Sequence, residues 1–212
     1  LMALNRNDIS KINRGAVGNY SKSADEASYI PFYASFASPA LLLLGDAERE
    51  NFGQISVMFV ETMTTTGAFF TITAGLVDKS RPLVYNENLP EEQRTEASAQ
   101  RSFFAGHTAA TAAATFFTAK VFQDFNPDSK AVPFVWAGAI AVPATVGYLR
   151  TKAGKHFLTD NVVGFGVGAL CGILVPEIHK IGNQDLAFYP SIENNIGGTG
   201  VDAAGVGMNF RF

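Results

Sequence analysis

Charge is scarce in this chain: 17% of its 212 residues are Asp, Glu, Lys or Arg, against about a quarter in an ordinary soluble protein. The 16 Lys and Arg nearly balance the 19 Asp and Glu, and a net charge of −3 leaves no basic footprint for nucleic acid. A single cysteine, Cys171, excludes an intrachain disulfide framework and any multi-cysteine zinc site. It lies in an apolar stretch and reads as a small buried hydrophobe. Long unbroken runs of Leu, Ile and Val are missing, and no Lys/Arg asymmetry orients a membrane span. No internal repeat is visible. The first residues, from Leu1, are polar and carry no signal peptide, which reads as a mature or trimmed product.

Apolar residues are plentiful. They make up 47% of the chain, and the mean hydropathy is +0.12. Intrinsic disorder is excluded, and the length suits one domain over 1–212 with a real core. A spanning helix needs about 20 apolar residues. Ala131–Leu149 is long enough but contains Pro133 and Pro143, and Ile55–Val77 carries Glu61 and several threonines. Asn161–Pro176 is Gly-rich and short. Small residues suit close helix packing in lipid, and they suit a tight soluble bundle equally. The composition favours a very apolar globular bundle over an integral membrane protein.

Periodicity and breakers predict an all-α fold, a bundle of five or six main helices, with a short C-terminal β-hairpin. Residues 1–28 are polar and read as loop or a short surface helix. Helical segments follow at Tyr29–Leu44, Asn51–Val77, Gly106–Phe122, Ala131–Leu149 and residues 157–179. Residues 83–101 form an acidic, proline-containing loop whose length suggests function or mobility. The tail, 181–212, is glycine-rich. Val206, Met208, Phe210 and Phe212 alternate as in a strand, with Asp185–Ile192 as the expected partner.

Three clusters fall at helix ends. They are Arg81-Pro82, then Ser102-Phe103-Phe104-Ala105-Gly106-His107, then Arg150 with His156 and Asp160. At i and i+4 of a helix, His156 and Asp160 would share a face, and the carboxylate could fix the imidazole tautomer. The bland alternative is a surface pair that merely stabilises a helix. His107 alone reads as a capping-region histidine, and Arg-Pro alone as a helix stop. Together they form something else. Two arginines can grip a phosphate, a helix start offers N–H donors, one histidine can attack and the other can protonate. No metal cluster is legible: Glu61 and Asp78 have no histidine at ligand spacing.

In order and spacing these clusters resemble the type-2 phosphatidic acid phosphatase and vanadium haloperoxidase superfamily, over about residues 55–180. Its signature runs Lys-x6-Arg-Pro, Pro-Ser-Gly-His and Ser-Arg-x5-His-x3-Asp. Arg81-Pro82, Gly106-His107 and Arg150/His156/Asp160 match it. Ala74 stands in place of the first-motif lysine, Ala105 of the second-motif serine, Phe104 of its proline and Leu149 of the third-motif serine.

The resemblance implies a phosphomonoesterase, of lipid phosphate or non-specific, working through a phosphohistidine without metal or cofactor. His156 would attack, Asp160 orient it and His107 protonate the leaving group. Arg81, Arg150, the Gly106 amide and, as a further candidate, Lys79 would bind the phosphate. The implied partner is a phosphorylated small molecule or lipid phosphate, at a membrane surface or in a bilayer. The implied place is a bacterial periplasm or cell envelope. A second reading is a degenerate envelope protein that binds phosphate or lipid without turnover, as Ala74 and Ala105 would allow. A vanadate-filled haloperoxidase stands third. The aromatics Tyr29, Phe32, Tyr33 and Phe36 suit a lipid, but are read first as core.

Overall fold

A computed structural model describes residues 9–194 and 201–210. Its α-helices are α1 (Lys22–Phe36), α2 (Asp46–Glu50), α3 (Phe52–Leu76), α4 (Glu91–Thr95), α5 (Gly106–Phe125), α6 (Val132–Lys152) and α7 (Leu158–Asp185). Among the described residues the five long ones, α1, α3, α5, α6 and α7, are the expected bundle. The described residues up to Ile173 form one compact unit and those from Leu174 a second. In the second, β1 (Leu186–Asn194) pairs antiparallel with β2 (Val201–Phe210), in register from Leu186↔Phe210 to Ala203↔Glu193. Phe212, last in the expected alternation, lies outside the described residues.

Helix α5 is the axis of the first unit. Twelve of its twenty residues are buried, because α1, α3 and α6 all pack on it. Its composition explains this: alanines admit close neighbours, and its threonines return their hydroxyls to backbone carbonyls, as Thr111 does to His107 and Thr115 to Thr111. On one side Phe117 and Val121 meet Leu42, Ile55 and Met58. On another, Ala112, Phe116 and Ala119 meet Ala139 and Ala169, with Trp136 and Phe165 at the edge.

Against α5, helix α7 presents glycine every fourth residue. A Cβ at Gly164 would stand 2.5 Å from the Ala105 carbonyl oxygen, one at Gly168 2.0 Å from that of Ala109, and one at Gly172 2.7 Å from that of Ala113. The three contacts march down both helices in step, one turn apart. Only hydrogen side chains permit this approach.

Two segments differ from expectation. Of the N-terminal segment expected as loop or a short surface helix, the described residues hold a 3-10 turn at Lys11–Ala16, and α1 begins at Lys22 rather than Tyr29, capped by the Ser21 hydroxyl accepting from Ala24 N–H at 3.2 Å. The polar first turns of α1 hid its start. Residues 83–101 are ordered by turns at Pro82–Tyr85 and Ala97–Gln100, with α4 between them. The ends of this excursion close on each other. Lys79 N–H donates to Gln100, Arg81 N–H to Ala99, and Ser102 N–H to Lys79.

Among the described residues, four helical stretches are long and apolar enough to cross a membrane: Lys22–Leu44, Phe52–Leu76, Val132–Lys152 and Leu158–Lys180. Their outward faces carry large bare side chains, among them Leu76 (81% exposed), Phe134 (77%) and Ile30 (75%). Val57, Val60, Ile72 and Val162 are likewise more than half exposed. A water-soluble bundle does not leave so many large apolar side chains uncovered. The expectation of a soluble bundle is therefore corrected: this surface suits lipid, and the small-residue interiors suit it too.

The α5–α7 contact yields a stability test. Gly168→Ala should lower the melting temperature in detergent, at a cost of about 1–3 kcal/mol for overpacking. Gly166→Ala should be neutral or slightly stabilising, because its Cβ meets nothing within 4 Å. Equal melting of the two variants would contradict the close approach.

Candidate active site

The three motif clusters converge at one end of the bundle, where α3 and α6 end and α5 and α7 begin. Each is placed by local rules. Arg81 precedes a 3-10 turn opened by Pro82. Gly106 and His107 are the first two residues of α5. Arg150 lies in the last turn of α6, which closes in a Schellman motif: Lys155 N–H donates to Arg150 C=O at 3.0 Å and Gly154 N–H to Thr151 C=O at 3.1 Å. Gly154 has φ +74°, and a Cβ there would meet the Asn19 carbonyl at 1.9 Å. Its own carbonyl accepts from Leu83 N–H at 3.0 Å, tying the Arg81 turn to the Arg150 turn.

His156 is buried just before α7 rather than on it. Its Nδ1 lies 2.6 Å from the carbonyl oxygen of Ser102. A carbonyl only accepts, so Nδ1 carries the proton and Nε2 keeps a free lone pair. Asp160 is also fully buried, but its oxygens go elsewhere. One pairs with the Lys79 ammonium. The other accepts from Ser102 Oγ–H at 2.6 Å and from Phe157 N–H at 3.0 Å, the latter being half of a capping box at the start of α7. The expected His156–Asp160 hydrogen bond is thus replaced by an indirect link. Helix α7 starts only at Leu158, so the two residues never share a helical face. Ser102 touches both, one through its carbonyl and the other through its hydroxyl. Lys79, a candidate for phosphate, is drawn onto Asp160 and lies over the rings of Phe157 and Phe103.

Arg150 is buried and donates through Nη1 to Asp25 Oδ1 at 2.6 Å and to Ser28 Oγ at 3.4 Å. Its guanidinium carbon lies 5.9 Å from the Tyr29 ring. Lys155 reaches the other oxygen of Asp25 at 3.2 Å. The Nε–H groups of Arg81 and Arg150 are both buried without a hydrogen-bond partner. Buried donors are almost always paired, so two orphans from two separate motifs mark a place for an acceptor. The helix start at α5 adds N–H donors, since Ala105 gives no side-chain cap.

Electrostatics link the same four side chains. Burial and then the charges of Arg81 and Arg150 hold the His156 pKa well below the usual imidazole value, while its bond to Ser102 opposes them. Burial and then Arg150 push His107 down to about 4, with Asp25 opposing and Arg81 and Lys155 assisting. Burial, then Arg150, lowers Arg81. His107 is further fixed by rings of α1, at 4.5 Å from Phe32 and 5.4 Å from Tyr29. Those two aromatics line the site instead of filling a remote core. A Cβ on Gly106 would lie 2.8 Å from the Phe70 ring, so no larger residue fits there without displacing it.

A family model for the PAP2 superfamily matches residues 56–182. The chain belongs to the PAP2 superfamily. Two solved structures share its fold. A transmembrane PAP2-type phosphatidylglycerolphosphate phosphatase from Bacillus subtilis is 19% identical, with a TM-score of 0.58 over 80% of this chain and 83% of that one. LpxE from Aquifex aeolicus is 20% identical, with a TM-score of 0.54 over 80% of this chain and 97% of that one. No curated protein matches.

Among the described residues, two of the cavities lie near the PAP2 motifs. One of about 230 Å³, polar, is bordered by Arg81, Asp25, Lys155, Gln93 and Glu96. The other, about 360 Å³ and almost wholly apolar, lies between α6 and α7 and contains none of the motif side chains. Among the described residues no cluster of His, Cys, Asp or Glu is gathered for a metal. Sequence reasoning missed Asp25 and Ser28, and it placed Ser102 in the second cluster without a role. The first two had a signal: Asp25, Ser28, Tyr29 and Phe32 fall at i, i+3, i+4 and i+7, one face of a helix.

The two histidines make stability pH-dependent. Their folded pKa values lie below that of an unfolded histidine, 6.5. The unfolded chain therefore binds more protons in this window, and stability rises with pH there. The contribution is complete above pH 6.5 and declines as pH falls towards 4 and below. Melting temperature should drop across this range, and less so in His107→Gln. An identical decline in the variant would remove His107 from the account.

Proposed function

We propose that this PAP2 protein is a lipid-phosphate phosphomonoesterase that works through a phosphohistidine on His156, in a cell-envelope membrane. The observation that carries the reading is the pair of orphaned guanidinium N–H groups beside an imidazole whose Nε2 is unencumbered. The phosphate oxygens take the Nε–H donors of Arg81 and Arg150 and the N–H groups at Gly106. Such charge-assisted bonds are the stronger kind and suit phosphate geometry. His156 Nε2 attacks phosphorus, an N–P bond forms, and the ester P–O bond breaks. The leaving oxygen needs a proton, and His107 supplies it. In the empty site His107 is neutral at pH 7 because burial and the arginines disfavour its charge. A bound dianion offsets the arginine contribution and raises its proton affinity when the proton is needed. Water then attacks phosphorus, His107 takes its proton, and the N–P bond breaks to release phosphate.

The membrane surface and the phosphatidylglycerolphosphate phosphatase among the structural neighbours support a lipid ester as substrate. Asp160 acts on His156 through Ser102 in this mechanism. A second reading, phosphate binding without turnover, is favoured by one observation: Lys79 is committed to Asp160, and position 74 is alanine, so no lysine is free for the transition state there.

Turnover decides between them. The detergent-purified chain should hydrolyse p-nitrophenyl phosphate and a short-chain phosphatidate, and His156→Ala should reduce both to background. Acid-labile, alkali-stable phosphate should be trapped on the wild type. Phosphate binding with no turnover above the His156→Ala background would establish the second reading.

Ala105→Ser offers a separate check. A serine at this N-cap adds the missing helix cap, worth about 1 kcal/mol, and a hydroxyl donor for the transition state. Melting temperature and kcat should both rise. A rise in melting temperature alone would show that position 105 does not face the phosphate.

A further inference from the structure

Helix α1 lies outside the three motifs, yet it supplies the carboxylate that meets their arginine. Asp25 takes Arg150 Nη1 on one oxygen at 2.6 Å and Lys155 Nζ on the other at 3.2 Å. Ser28, one turn on, adds a second acceptor for the same Nη1 at 3.4 Å, and Tyr29 lies against the guanidinium face. A guanidinium offers its donors in a planar fork. With Nη1 engaged, the edge left over is the one that bears Nε, and Arg150 Nε is the buried donor without a partner.

We propose that Asp25 is a positioning residue of the phosphate site: it clamps Arg150 through Nη1, turns the Nε edge towards the anion and holds Lys155 beside it. This rests on the phosphatase reading above. Asp25 contacts neither the phosphorus nor the leaving group. Without it, Glu96 beside Arg81 would be the remaining carboxylate among Arg81, Arg150 and Lys155, and Arg150 Nη1 would keep only the long contact to the Ser28 hydroxyl.

The opposite role is conceivable on chemical grounds, because a carboxylate next to an anion site can compete for its arginine. Geometry opposes this, since Asp25 occupies Nη1 and leaves the orphaned edge untouched. The two roles give opposite results on removal of the carboxylate.

The test is a calorimetric titration of inorganic phosphate into the detergent-purified full chain, as wild type, Asp25→Ala and Asp25→Asn. It is paired with KM and kcat for p-nitrophenyl phosphate. Asp25→Ala should weaken phosphate binding about tenfold, the scale of one charge-assisted hydrogen bond. KM should rise by a similar factor while kcat changes less. Asp25→Asn keeps an oxygen for Nη1 and should lie between the two. If Asp25→Ala does not fold, Asp25→Asn carries the same test. Binding equal to or tighter than wild type in a folded variant overturns the proposal, and tighter binding assigns competition to Asp25. Loss of melting temperature with KM unchanged also overturns it, leaving a structural ion pair. A wild type that binds no phosphate overturns the phosphatase reading and this inference with it.

Discussion

A single buried carboxylate organises the catalytic end of the molecule. Asp160 is removed from water, and a charge so placed is tolerable only when paired and fully hydrogen-bonded. It meets that condition by collecting three donors from three pieces of chain: Lys79 beyond α3, Ser102 before α5, and Phe157 at the head of α7. Those are the segments that carry Arg81, Gly106-His107 and His156. Satisfying one charge therefore brings the three motifs together, and Ser102 passes the constraint to His156 through its carbonyl. Removal of any donor would leave part of a carboxylate uncompensated. The site's geometry and the local stability are one problem.

The bundle beneath is held by a different force. In lipid, apolar surface gains little from being buried, so helices associate through close packing. The Gly164–Gly168–Gly172 row brings α7 onto the carbonyls of Ala105, Ala109 and Ala113, where dispersion contacts between backbones replace large side chains. This row begins at Ala105, the N-cap of α5, whose N–H donates to the Asp160 carbonyl at 3.0 Å. Packing in the bundle and the polar knot at its end thus share a residue. The tightness of the first sets the position of the second.

Helix positions were legible because breakers and small-residue runs are local features. Pro82 and Gly106 mark real boundaries, and the order of the clusters was enough to name the family. The partner of each polar side chain was not legible in the same way. Spacing suggested His156 with Asp160, and the fold gave Asp160 to Lys79 and His156 to Ser102, because His156 precedes the helix that the spacing assumed. The same spacing rule, applied to Asp25, Ser28, Tyr29 and Phe32, would have found the face of α1 that meets Arg150 and His107. It was obscured by a polar first turn, which looks like loop until Ser21 is recognised as a cap. An apolar exterior was misread for a related reason. Hydropathy averages a helix and does not tell its outward side from its inward one, and in α3 the outward side carries Val57, Val60, Ile72 and Leu76 while Thr62 and Thr66 face inward.

Ionic groups of both signs border the site. Lys79 and Asp160 neutralise each other, so neither contributes a net charge to the anion pocket. Arg81, Arg150 and Lys155 bring three positive charges, and Asp25 and Glu96, which border the polar cavity with Arg81 and Lys155, return two. One remains. On the phosphatase reading a phosphate monoester dianion then exceeds the net cationic charge, so directed donors, the Nε–H groups of Arg81 and Arg150 and the N–H groups at Gly106, carry the rest of the recognition. Asp25 has two effects at once: it lowers the cationic charge of the pocket, and it holds Arg150 in place with the same carboxylate.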